Sequence, residues 1–283
     1  MADGDAEAAT PEDVRAIARR RRFDDLTARL ALQCAERGTA WVLRDAGEPI
    51  GIAIAHDSDD ERFVGDYYVE PSFRGQDAGT QLLRAAFDEA GDRSRATLVS
   101  PNDAAAQALA LRFGMTLGEP ILRMAGAIPP EEELAKMAAG DYRFEVAAID
   151  AAAHGPALDE LDRRSRGTAR PADHAEFCLR AGGNAFFLRG ECVGYAYVWA
   201  DGMVGPIACA SQAYLVQIFA YALVTLVRQY GASWCTALVP GSNRHIARAA
   251  LRARLRIEEA LNFASDAFGG DFSTYVAYHR LLL

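Results

Sequence analysis

Cysteine is scarce and scattered in this chain of 283 residues: Cys34, Cys178, Cys192, Cys209 and Cys235 are odd in number, far apart and never in a Cys-x-x-Cys spacing. Such a set supplies neither a disulfide framework nor a zinc site, and it suits a reducing cytoplasm. Positive charge is short as well, with 30 Lys and Arg against 39 Asp and Glu, a net charge of -9 and a pI near 5.1. That field repels phosphate polyanions, and the one basic run, Arg19 to Arg22, is a single helical turn, so no nucleic-acid partner is expected. The opening MADGDAEAAT is acidic and lacks the basic, apolar, small-residue order of a secretory leader. His56 and His154 have no partners at metal spacing and read as solvated, so no metal is expected. Cys209 has no histidine constellation around it in the sequence and is not read as a nucleophile.

One stretch, Ile207 to Val227, is free of charge over about the length of a bilayer span. Within it Leu215, Ile218, Phe219, Ala222, Leu223 and Leu226 recur at helical spacing, whereas Gln217, Tyr221, Thr225 and Arg228 fall on another face. The expectation is a helix buried on most sides and no membrane partner.

What is present is a globular composition, 51% hydrophobic and 24% charged, in a length that suits two domains. The chain reads as a duplication. AWVLRDAGEPIGIAIAH, from Ala40, is answered by AFFLRGECVGYAYVW, from Ala185; each is strand, tight turn, strand, entering Gly51 or Gly194. LVSPNDAAAQALALRFGM is answered by LVPGSNRHIARAALRARLRI, which sets Asn102 beside Asn243 at a helix start and Gly114 beside Arg256. The expected domains are 1–127 and 141–283, with residues 128–140, containing Ile128-Pro129-Pro130, as a linker. Each copy reads as α/β: helices, a largely antiparallel run of strands, a central amphipathic helix, a strand, a further helix and closing strands. In the first copy the strand ending at Val69 runs through Glu70-Pro71-Ser72-Phe73-Arg74-Gly75-Gln76-Asp77-Ala78-Gly79-Thr80 into that helix. Glycine-spaced amides at a helix N-terminus suit a diphosphate, although a glycine-bearing helix start is more often only a connection.

The order Val-x-Pro-x-x-Arg-Gly-x-x-x-Gly-Thr-x-Leu-Leu, followed by a strand, Pro-Asn, an alanine-rich helix and Phe-Gly-Met, resembles the GNAT superfamily of acyl-CoA-dependent N-acetyltransferases. The resemblance spans about Ala6 to Ala127 and, in weaker form, Tyr142 to Leu283, so it implies two tandem GNAT-like domains. It implies acetyl-CoA as acyl donor, held by Val69, Arg74, Gly75, Gln76, Asp77, Ala78, Gly79 and Thr80, with Asn102 beside the pantetheine arm. Asn102 has a plainer reading as a helix N-cap. The chain departs from the family pattern twice. Aspartate stands at position 77 where the family has its middle glycine, and Ala110 stands where the family often places a tyrosine that protonates the leaving thiolate.

In that family the base is often a carboxylate on the strand before the turn. Strand alternation puts Asp66 and Tyr68 on one face and Tyr67 and Val69 on the other, which makes Asp66, with Tyr68, the candidate catalytic pair. Glu61 and Glu70 are the reserves, and Asp66 could equally be a structural, hydrogen-bonded carboxylate. The second copy reads VGPIACAS at the corresponding turn and is expected to have lost its cofactor. It could cover the acceptor cleft, form a homodimer or stabilise the first copy. The function implied is transfer of an acetyl group to the amine of a small-molecule acceptor; the alternative is a catalytically degenerate CoA-binding or scaffold protein.

Overall fold

The computed structural model describes residues 5–283, so the first four residues of the expected first domain lie outside it. It divides into two compact units. One takes the described residues up to Gly118 together with Phe263–Ala267 and Arg280–Leu283; the other takes Glu119–Asn262 and Phe268–His279.

The first unit begins with a short strand β1 (Glu7–Ala8) and two helices, α1 (Pro11–Arg21) and α2 (Asp25–Glu36). A capping box between Thr10 and Asp13 and a proline at the first turn start α1, a left-handed Arg22 ends it, and Asp24 caps α2. Strands β2 (Ala40–Asp45), β3 (Glu48–Asp57) and β4 (Glu61–Val69) form an antiparallel meander. The central helix α3 (Ala78–Asp88) buries Leu82, Leu83, Ala86 and Phe87 on it. A Cβ at Gly51 would lie 2.9 Å from Leu82 Cδ1, so the glycine at the hairpin exit is what lets α3 settle on β3. Next come β5 (Ser94–Val99), which pairs in parallel with β4, and α4 (Ala104–Arg112).

The strand β6 (Thr116–Ala127) follows, and its residues Ile121 to Ala127 pair with the second unit's β11, described below. The second unit then repeats the plan: α5 (Glu131–Ala138), β7 (Glu145–Ala148), α6 (Ala151–Arg166), α7 (Pro171–Arg180), β8 (Gly182–Leu188), β9 (Glu191–Val198) and β10 (Met203–Cys209). It continues with α8 (Gln212–Tyr230), β11 (Trp234–Pro240), α9 (Arg244–Arg252), β12 (Arg256–Ser265), whose end from Phe263 on belongs to the first unit, and β13 (Tyr275–Val276). The charge-free stretch divides: Ile207 to Cys209 are strand, Ala210 and Ser211 connect, and the rest lies in α8, whose Leu215, Ile218, Phe219, Ala222, Leu223 and Leu226 are all buried. Among the described residues no helix is long and apolar enough to cross a membrane.

The expected boundaries move. Residues 119–127 belong to the second unit, and the expected linker contains α5, whose Leu134 is fully buried in that unit's core. Leu134, with Ile128 and Met137 packed against the same cluster, docks the segment on that core. The repeat offset also sharpens. Asp103, not Asn102, caps α4 through Ala106 N–H, so the partner of Asn243 is Asp103, 140 residues away. At that same offset Arg254, with φ +66°, takes the left-handed place of Gly114, and Arg256 is instead the first residue of β12.

Candidate active site

Strands β4 and β5 part company partway along. Their ladder runs from Glu61↔Ser94 to Val64↔Thr97 and stops, while the strands continue to Val69 and Val99. Gly65 sits at the branch point, where the segment Arg280–Leu283 of the same unit packs so closely that a Cβ would come 2.5 Å from Leu281 Cα. Beyond it, Asp66 to Val69 keep β3 as a sheet neighbour but have no partner in β5. A fork of this kind leaves one edge of β4 for a ligand main chain to lie along.

At the end of the fork an eight-residue connection, Glu70 to Asp77, leads into α3. A turn of 3-10 helix, Pro71–Phe73, is followed by Gly75 at φ +76° and Asp77 at φ +66°. Asp77 stands at the N-cap but its side chain caps nothing, so it bonds none of the first amides of α3, on Ala78, Gly79 and Thr80, an arrangement that suits an anion. Arg74 is aimed by its Nε bond to Val69 O at 2.9 Å, with its terminal N–H groups outside that bond. Gln76 is spent locally, donating to Ser72 O at 3.0 Å. Gly79 faces away, with a Cβ there 3.3 Å from Leu109 Cδ2, so its smallness serves the packing of α3 on α4. The residues present therefore fit a diphosphate. Asn102 is exposed, and its backbone N–H bonds Ser100 Oγ at 3.2 Å.

The opposite face of β4 carries charge. Asp66 is buried, and its Oδ2 is bonded by Arg21 and approached by Arg280 at 4.0 Å; no hydrogen bond among the described residues takes Oδ1. Arg21 lies over the rings of Tyr68 and Phe23, at 4.6 and 4.9 Å, and Arg280 over Phe23 at 5.9 Å. Tyr68 donates to Glu70 Oε2 at 2.9 Å, and burial together with that bond pushes its hydroxyl pKa up. Glu70 is held below the usual carboxylate range, chiefly by its 2.8 Å bond from Arg20. Glu70, one of the two reserves, is thus tied to an arginine as Asp66 is. The other, Glu61, lies five residues down the strand, roughly 17 Å from Asp66. Alternation is kept as expected, since Tyr67 and Val69 pack with Leu82 on the α3 side. Sequence reasoning missed Arg21 and Arg280. The first was visible only as part of a basic run, and no local signal marks the second.

The second unit closes both features. Its ladder from β10 to β11 also stops early, at Val204↔Ala237, with Gly205 at the branch point; but there β13 enters the fork, pairing Ile207 with Val276 and Ala208 with Tyr275, and Ala277 bridges Leu238. Only two residues, Ala210 and Ser211, join β10 to α8, and the Ser211 hydroxyl itself caps Ala213 N–H. Six residues and the anion cradle are missing. Cys209 is buried, and burial pushes its thiol up to about 12, as suits a residue that is no nucleophile. Two histidines depart from expectation. His56 is buried in β3, and His154 Nδ1 accepts from Asp150 N–H at 3.1 Å on the first turn of α6.

Residues 8–115 match the acetyltransferase (GNAT) family. Among curated proteins no sequence match emerges. Solved structures share the fold over nearly the whole chain. A candidate acetyltransferase from Pyrococcus horikoshii superposes with a TM-score of 0.72 at 14% identity, over 98% of this chain and 95% of its own. A GCN5-related N-acetyltransferase from Sphaerobacter thermophilus gives 0.63 at 18% identity, over 95% and 98%. A tandem GNAT protein from the clavulanic acid biosynthesis pathway gives 0.59 at 15% identity, over 93% and 98%.

Proposed function

We propose that this chain, whose residues 8–115 match the acetyltransferase (GNAT) family, transfers the acetyl group of acetyl-CoA to the amine of a small-molecule acceptor, at one site per chain, in the first unit. One observation carries the reading: the first unit has an unpaired fork running into an uncapped, left-handed turn, and the second unit has filled the one and deleted the other. Acetyl-CoA is a substrate here, supplying an activated acyl group. Arg74 and the amides of Ala78 to Thr80 would hold its diphosphate, and the free edge of β4 its arm.

On the other face Asp66 is the candidate base. Both arginines approach Oδ2, so an incoming ammonium meets Oδ1, and the paired guanidiniums hold the carboxylate in place while it takes the proton. The neutral nitrogen then attacks the acyl carbon directly, with no covalent enzyme intermediate, and Tyr68, fixed by Glu70, borders the acceptor.

The test is calorimetry with acetyl-CoA together with release of free thiol over a panel of amines. One site per chain and thiol release with at least one amine are expected, and acetyl-CoA at about 100 times its dissociation constant should add roughly 2.7 kcal/mol of stability. Two equivalent sites, or none at millimolar concentration, would sink the reading. Binding without turnover of any amine would favour a CoA-binding scaffold, a reading that Asp77 in the turn and Arg21 on Asp66 support.

A further inference from the structure

Tyr67 is left over from this account. It lies two residues beyond Gly65, where β4 has already parted from β5, and its ring packs against the cluster that includes Ala110 and Leu109 of α4 and Val99 of β5. Its hydroxyl is buried and has no hydrogen-bond partner. An unsatisfied buried hydroxyl costs free energy, and a ligand atom that accepts from it removes that cost. Burial first, then the Asp103 and Asp66 carboxylates, push its pKa up, so it keeps its proton and stands as a donor at every working pH.

Two comparisons say what the donor is for. In the second unit the position 140 residues on is Ile207, whose main chain pairs with Val276 of the strand filling the fork. A hydroxyl is present where the fork is unfilled by a strand and absent where it is filled. Within the first unit, Ala110 of α4 is buried in the same cluster that Tyr67 packs on. A phenol thus reaches this cluster from β4 where α4 offers only a methyl group.

We propose that the Tyr67 hydroxyl donates a hydrogen bond to the sulfur of the acyl-CoA thioester, and to the thiolate as it leaves; this rests on the acyl-transfer reading above. The amine nitrogen, already neutral after its first proton has gone to Asp66, forms its bond to the acyl carbon and gives up its second proton to water. As the tetrahedral intermediate collapses, the C–S bond breaks and its electron pair goes to sulfur. Tyr67 keeps its own proton throughout, because a phenol held this weakly acidic does not protonate a thiolate; it stabilises the negative sulfur by the hydrogen bond alone, and water supplies the thiol proton.

The test needs no acceptor. The thiol of CoA bound to the full chain is titrated by thiolate absorbance in the wild type and in Tyr67→Phe, which keeps the ring and removes only an unbonded oxygen. The bound thiol is expected to ionise about tenfold less readily in the variant, a rise of about one pKa unit. Above the thiol pKa, the wild type should prefer CoA to desulfo-CoA and the variant should lose that preference. Equal thiol pKa values in the two proteins would overturn the proposal. So would a variant that weakens desulfo-CoA as much as CoA, because the hydroxyl would then hold the arm and not the sulfur. Failure of CoA to bind the wild type would overturn the acyl-transfer reading beneath it.

Discussion

Each unit sets a carboxylate against arginine on the face of its sheet opposite the central helix, and the two settings differ in what they leave over. In the first unit Asp66 is held by Arg21 and Arg280, whose side chains remain 20% and 30% exposed. In the second, Asp162 is fully buried with Arg170 at 3.3 Å, His174 Nε2 at 2.9 Å and the Tyr195 hydroxyl, while His174 Nδ1 meets the Tyr197 hydroxyl at 3.1 Å. The first arrangement has N–H donors and a carboxylate oxygen to spare; the second has turned the same region into core. The forks tell the same story, one free of a third strand at Tyr67 to Val69 and one occupied by β13. Two units built on one plan thus differ in that, among the described residues, one leaves its fork and one carboxylate oxygen unpaired and the other packs both into its core. The comparison teaches that an open fork and a buried network are alternative uses of the same strands.

The largest effect expected from that contrast is Asp162→Ala. Breaking a buried charge network by removing one partner costs about 3–5 kcal/mol, and chemical denaturation should show it. Burial alone would raise the Asp162 pKa, but Arg170, the His174 hydrogen bond and Arg166 bring it below the ordinary value. A depressed folded pKa contributes stability above the unfolded value, near 3.8, that is lost as pH falls through the folded one. Asp162→Asn should therefore show a flatter loss of stability below about pH 4 than the wild type. Equal acid sensitivity would make the network an ordinary core contact.

Asp66→Asn tests the reactive half. It should lower turnover about 100-fold with any accepted amine while leaving CoA affinity nearly unchanged, and the deficit should shrink between roughly pH 6 and 9 as more amine is already neutral. Equal rates across that range would exclude Asp66 as base and leave its ion pairs a structural role. Next in size, Arg74→Ala should weaken CoA about tenfold by removing one charge-assisted contact to the diphosphate, seen by calorimetry. An unchanged dissociation constant would mean that the helix amides hold the anion alone.

The smallest effect is expected at Asp77→Gly, which removes a carboxylate beside the diphosphate and restores glycine to a φ +66° position. CoA should bind tighter by about 1 kcal/mol, roughly fivefold. Weaker binding would show that Asp77 positions a substrate and is not simply tolerated.

How much of this was legible in the sequence varies from place to place. The duplication, the strands flanking Gly51 and Gly194, the buried stripe of α8 and the glycine-bearing turn are all local patterns, because alternation, helical spacing and positive φ are properties of neighbouring residues. That the second copy turns differently showed too, as VGPIACAS without the glycine-spaced segment of the first. The face of β4 to which Asp66 points also followed from alternation alone.

The tertiary structure decided the rest, since it depends on chain that returns from far away. Arg280 reaches Asp66 from more than two hundred residues on, β13 finds the fork beside β10, and residues 121–127 pair with β11. The vacancy at Ala110 was readable one residue at a time. That Tyr67 packs on the same cluster with its hydroxyl unbonded was not, because whether a buried polar atom is satisfied is settled only when every neighbour is in place.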